Sequence, residues 1–165
     1  MEILDIFALQ FVLSLTVIGL IAALRLAPWL QRQELGDALF WLAVPHAFRH
    51  LGLVFLVPGV VSASLPENFA GAAAYGDLAA GILAIALLVA AHFKWSAMVP
   101  LAWATSVVGL VDLVNALSHI EVVPHLQSAW YIPTIIVPVL LVTHVMTLTR
   151  LIAYHRAKIG TIREA

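Results

Sequence analysis

The chain has 165 residues, of which 63% are hydrophobic and 10% charged, with a formal net charge of −1. A soluble domain carries about 45–50% apolar and about 25% charged residues, so an ordinary soluble fold is excluded, and the near-neutral charge gives no footprint for nucleic acid. The absence of cysteine removes disulfides, thiolate metal sites, cysteine nucleophiles and cysteine-ligated iron–sulfur clusters.

The apolar residues fall in runs of about twenty, the length that crosses a bilayer core. They predict five transmembrane helices near 4–26, 37–61, 71–93, 96–119 and 130–154. The first opens with MEILDIF, which lacks the basic start and small-residue cleavage site of a signal peptide, so it reads as a retained span. The connections are polar or proline-bearing: APWLQRQELGD, SASLPENFAG, HFKWS and SHIEVVPHLQS. The fold class is therefore all-α, a polytopic membrane helical bundle forming one domain over 1–165, with a basic tail at 155–165.

The charges orient these spans. Of eight basic residues only Arg49 is embedded; Arg25, Arg32, Lys94, Arg150, Arg156, Lys158 and Arg163 all fall on alternate connections. The other loops carry Glu67 and Glu121, and the amino terminus Glu2 and Asp5. By the positive-inside rule the amino terminus is outside and the carboxyl terminus inside. Trp29, Trp41, Trp95 and Trp130 fall near the expected interfaces, as aromatic belts do.

Ionisable residues within a bilayer are costly and face protein or water-filled space. VPHAFRHLGL places His46, Arg49 and His50 in span two, at α-helical offsets that share one face. Span three adds Asp77; span four adds Asp112, Asn115 and His119 on one stripe; span five adds Thr134, Thr143, His144 and Thr147. Span one offers Gln10 and Ser14. At about 1.5 Å of rise per residue, His46 and His144 lie level, each roughly 13 Å from the inner face. A polar column rises from them through Arg49 and His50 to Asp77, Asp112 and Asn115 in the outer half.

Each member also has a plain structural role open to it. Arg49 can pair with Asp112 or Asp77, a lone histidine can bond a carbonyl, and Asp77 can cap a helix. His119, Glu121 and His125 can be solvated loop residues, as can His155 in the tail, and buried threonines can bond their own backbone. Ala74, Asp77, Gly81 and Ala84 share a small-residue face that lets helices approach closely, which turns Asp77 inward. Pro45 and Pro138 free carbonyls one turn back, near Trp41 and Thr134, and bend their helices.

PHAFRHLGL, YGDLAAG and YIPTIIVPVLLVTHV together resemble a group of short bacterial multi-pass membrane proteins with no assigned activity. The resemblance covers spans two to five and implies a bacterial cytoplasmic (inner) membrane location. The signature segments of tryptophan-rich sensory proteins are absent, and so is the embedded lysine of microbial rhodopsins.

Three functions are compatible with the column. In the first, the lipid-embedded bundle binds or transports a small molecule or protons through His46, Arg49, His50, Asp77, Asp112, Asn115 and His144. Five spans leave little room for a full transport path, which favours a homo-oligomer. In the second, His46 and His144 are axial ligands of a b-type haem; Arg49 meets a propionate, and Gly52, Gly81 and Gly109 make room for the ring. A metal site built from His46, His50, His144 and an aspartate is a weaker variant, because no acid is level with the histidines. In the third, the chain is an accessory or assembly subunit of a larger membrane complex. With no nucleophile elbow and no phosphate-binding glycine loop, the sequence points away from an enzyme.

Overall fold

In the computed structural model, which describes residues 1–163 and their side chains through Gly160, the apolar runs fold as five long helices. They are α1 (Ile3–Gln31), α2 (Leu35–Leu56), α3 (Glu67–His92), α4 (Met98–Ser118) and α5 (Gln127–Gly160), each long and apolar enough to cross a membrane. The last continues as α-helix to Arg163. Of the predicted basic tail, Glu164 and Ala165 lie outside the described residues. Among the described residues there is no β-strand, and a single bridge pairs Pro58 with Val61.

Proline shapes three of these helices. Pro28 and Pro138 cannot donate to the carbonyl four residues back, and their rings crowd it. In both places the preceding turn widens to π geometry: Ala27 bonds back to Ala22 before Pro28, and Val137 to Ile132 before Pro138. Span one thus passes through Pro28 to Gln31 rather than ending near residue 26. In α2 the α-helix Leu35–Ala47 contains Pro45, then tightens into a long 3₁₀ stretch, Phe48–Leu56. Runs of this length are uncommon. The helix stops at Leu56, short of the expected 61, because Pro58 lacks a donor and Gly59 turns with φ +85°.

α2, α3, α4 and α5 form the bundle, with α3 packed along both α2 and α4, and α5 closing the far side against α2 and α4. α1 lies outside it, touching α5 and the 120–125 loop, and buries only Ala22 and Leu30. The small-residue face on α3 turns inward as expected: Ala74, Asp77, Gly81 and Ala84 are all buried. A Cβ on Gly81 would sit 3.2 Å from the His50 backbone nitrogen, so this glycine lets the 3₁₀ stretch lie close on α3.

Two apolar clusters bracket a polar layer. Toward the acidic loops, Phe55, Leu65, Phe69, Val122 and Leu126 pack together. Toward the basic connections, Leu39, Leu87, Ala91, Ala102 and Leu151 do the same. The loops at each end are tied down. Ser62 donates its N–H to the His125 carbonyl at 2.9 Å and Ser128 donates to Val60 at 3.1 Å. At the other end Lys94 meets Glu34 at 2.5 Å, an exposed pair that holds the Glu34 carboxyl below its ordinary range and the Lys94 ammonium above its own.

Candidate functional site

The 3₁₀ stretch decides which part of the VPHAFRHLGL motif reaches the interior. At three residues per turn, positions i and i+3 eclipse. His46, Arg49, Gly52 and Phe55 therefore form one inward ridge, and all four are buried. His50, which an α-helix would have placed beside His46, is rotated to the exposed side and holds the Ala47 carbonyl through its own Nδ1 at 2.9 Å. This corrects the expected column, of which His50 is not a part.

Arg49 is the hub. Its side chain is fully buried, so its charge is tolerable only if paired and hydrogen-bonded. Nε donates to Asp77 Oδ1 on α3 at 2.7 Å, Nη1 donates to the Gly109 carbonyl on α4 at 3.1 Å, and Nη2 donates to Asp112 Oδ2, also on α4. The sequence left open whether the partner was Asp77 or Asp112; the guanidinium fork takes both. Asp77 lies well inside α3 and is not a helix cap.

Glycines make this packing feasible. A Cβ on Gly52 would overlap the Asp77 carboxylate, and one on Gly76 would overlap that of Asp112. A Cβ on Gly109 would come within 2.6 Å of His144 Nε2 and 2.8 Å of Arg49 Nη1. Sequence reasoning missed Gly76 altogether. Its one visible signal is its place immediately before Asp77, one turn of helix from a small-residue face.

Beneath Arg49 the two histidines meet. The rings of His46 and His144 are 4.0 Å apart between centroids, tilted by 43°, so their equal depth is borne out. His46 Nε2 bonds Thr143 Oγ1 at 2.9 Å. Among the described residues, His46 Nδ1 and His144 Nε2 are buried without a hydrogen-bond partner, as is Thr105 Oγ1. Thr134, Thr143 and Thr147 do bond carbonyls of their own helix, and of the three Thr143 alone also contacts the site.

The haem arrangement does not fit these residues. Axial imidazoles lie on opposite faces of a porphyrin, whereas these rings touch each other. The space at Gly52 and Gly109 is taken by Asp77, His144 and Arg49, and Gly81 is covered by the α2 backbone. Arg49 is already bonded to two carboxylates. Among the described residues no three His, Asp or Glu side chains converge as a metal cage requires; His50 in particular points away from His46 and His144. His119 pairs with Glu121 at 2.9 Å and His125 with Ser64 at 3.0 Å, so the loop histidines do not meet either. The Glu121 carboxyl is held below its ordinary range, first by its own backbone N–H and then by His119.

Above Arg49 the layer opens into a cavity of about 100 Å³. Its walls are apolar, with Phe7 from α1, Phe55 from α2, Phe69 and Ala73 from α3, and Leu113 and Ala116 from α4. Asp77 and Asp112 are its acidic floor, their side chains 13% and 14% exposed against 0% for Arg49. Asn115 is exposed and does not line this cavity; it lines an adjoining crevice that shares Phe69, Ala73, Ala116 and His119 with it. Gln10 is not at the site: it accepts a bond from Trp130 Nε1 at 2.6 Å, fixing α1 to α5.

A family model matches residues 6–152. The chain belongs to that family, described as Domain of unknown function (DUF8737). The matched region takes in every residue of the polar layer, from His46 to His144, and most of α1. No curated protein and no solved structure matches the chain.

Proposed function

We propose that this is a bacterial inner-membrane protein that binds a small molecule in its outer half, at the Asp77–Arg49–Asp112 floor, with His46 and His144 handling protons beneath it. The amino terminus is outside and the carboxyl terminus inside, since the basic residues keep to alternate connections. That orientation opens the cavity toward the outer surface. One observation carries the reading: two carboxylates from different helices are locked by one guanidinium, yet each keeps an accessible edge at the bottom of an otherwise apolar cavity. Buried ion pairs are weak stabilisers, because desolvation offsets their attraction, so packing alone gives little reason to set three charges in this layer. Small-molecule sites have this composition, with apolar walls and a few fixed polar groups.

The parts divide the work. Arg49 holds the two carboxylates in fixed positions, so a ligand meets a preset floor rather than mobile side chains. The phenylalanines and Leu113 keep bulk water out and bury the ligand's apolar part. Among the described residues, His46 Nδ1 and His144 Nε2 have no hydrogen-bond partner, so the pair offers two open positions for a proton or a water. A proton held on this pair would lie directly below Arg49 and couple to the charge of the floor. Whether binding leads to movement across the membrane is decided by the same pair, because it lies between the cavity and the inner face.

Native mass spectrometry of the protein released from its own membrane in mild detergent tests this reading. We expect a small-molecule adduct that Ala116→Phe, which fills the cavity, removes while leaving the protein monodisperse. An adduct unaffected by Ala116→Phe and by Ala73→Leu would place binding elsewhere and refute the proposal.

A further inference from the structure

The charge at the cavity floor does not balance. Asp77 and Asp112 bring two negative charges and Arg49 one positive, which leaves one negative charge facing an apolar space. His46 and His144 lie beneath Arg49 and do not line the cavity; with both rings neutral, no other group around the floor supplies the missing charge. The Gly109 carbonyl takes the third Arg49 contact and adds a further negative end of a dipole. His119 lines the cavity but its Nδ1 is engaged by Glu121 at 2.9 Å. Phe7, Phe55 and Phe69 belong to the otherwise apolar lining, and aromatic faces attract cations. Lys94 and Arg150, which could offset the charge, belong to the opposite end of the bundle, where they bond Glu34 and the Gln33 carbonyl.

We propose that the cavity takes a small apolar molecule carrying a single positive charge, a protonated lipophilic amine, with its ammonium group on the open edges of Asp77 and Asp112 and its apolar part among the three phenylalanines. This rests on the small-molecule reading above and names the ligand class for that site. The size is consistent with the class. A cavity of about 150 Å³ holds benzene, and this one, at about 100 Å³, suits a branched alkyl group smaller than a phenyl ring, with its head on the carboxylates. An anionic ligand would face the uncompensated carboxylate, and a neutral one would leave it without a counter-charge.

The test is isothermal titration calorimetry of the purified full chain in detergent, with micelle-only blanks, using isobutylamine, isobutanol and isobutyrate as probes of one shape and three charges. Isobutylamine should bind about ten-fold or more tighter than isobutanol, the ratio expected of a charge-assisted hydrogen bond, and isobutyrate should give no heat above blank. Asp112→Asn should abolish the preference for the amine over the alcohol; Asp112→Glu should keep the preference. Asp77→Asn gives the same comparison from α3 should Asp112→Asn fail to yield monodisperse protein. Equal binding of amine and alcohol, lost on Ala116→Phe, would overturn the cationic ligand and leave the cavity reading standing. Failure of all three probes to bind the wild-type chain would overturn both.

Discussion

The contact between Gly109, His144 and Arg49 gives a sharp energetic test of how the polar layer is packed. Gly109→Ala adds a Cβ that would lie 2.6 Å from His144 Nε2 and 2.8 Å from Arg49 Nη1, closer than real Cβ atoms come to either. Neither neighbour can step aside cheaply: Arg49 is held by three hydrogen bonds and His144 is 1% exposed against the His46 ring. Overpacking a tight interior costs about 1–3 kcal/mol, and the pinned neighbours put this site at the upper end, near 3. Replacing glycine by alanine within a helix returns about 0.5–1 kcal/mol, so a net loss of about 2 kcal/mol remains. Gly71 in α3 is the internal control, since nothing lies within 4 Å of the Cβ it would gain; Gly71→Ala should be neutral or stabilising by up to about 1 kcal/mol. The assay is SDS-titrated unfolding in mixed micelles. Removing the ring by His144→Ala relieves half of the clash, so the Gly109→Ala penalty in that background should shrink by about 1 kcal/mol, a coupling of the size seen for touching residues. If Gly109→Ala behaves like Gly71→Ala in both backgrounds, the close packing of Arg49 and His144 on α4 is wrong.

Two further outcomes follow from the same geometry. Arg49→Met leaves two carboxylates facing each other in a buried layer and should destabilise by about 3–5 kcal/mol, the cost of breaking a buried ion pair from one side. Adding Asp77→Asn and Asp112→Asn to it should recover most of that loss in the same unfolding assay, and no recovery would mean that the carboxylates are not what Arg49 neutralises. The purified protein, expressed with ample haem supply, should show no Soret band before or after reduction, because the contacting rings of His46 and His144 leave no plane for a porphyrin; a Soret band abolished equally by His46→Ala and His144→Ala would reverse that conclusion.

Much of this architecture was legible in the sequence. The five long apolar helices follow from run length alone, and the level placement of His46 and His144 follows from counting residues inward from opposite helix ends. Arg49 as the embedded cation, with Asp77 or Asp112 as its partner, was visible because so few ionisable residues interrupt the spans; that it takes both was not. The rotation of His50 was not visible. It depends on α2 changing from about 3.6 to 3 residues per turn after Ala47, and the apolar pattern around FRHLGLVFL suits either pitch. Asn115 failed for a related reason: sharing a stripe with Asp112 fixed its helix face only within a turn, and the exposed edge of α4 begins there. The cavity was hidden because its walls are phenylalanine, leucine and alanine, types that a lipid-facing surface uses equally. The glycines that admit Asp77, Asp112 and His144 carry no chemistry of their own, and their purpose appears only once the helices are brought together.

Single-cysteine accessibility tests the central claim most directly, because the native chain contains no cysteine. Ala116→Cys lines the cavity, Ala84→Cys is fully buried on the α3 small-residue face, and Ala63→Cys and Ser96→Cys sit in exposed turns at opposite ends of the bundle. Each would be treated on intact cells with a membrane-impermeant cationic methanethiosulfonate and with its anionic analogue. An outward-facing cavity ending on an acidic floor requires that Ala63→Cys and Ala116→Cys react from outside, the latter faster with the cationic reagent, while Ala84→Cys stays unmodified and Ser96→Cys reacts only after lysis. Protection of Ala116→Cys while Ala63→Cys reacts, or reaction of Ser96→Cys in intact cells, would contradict it.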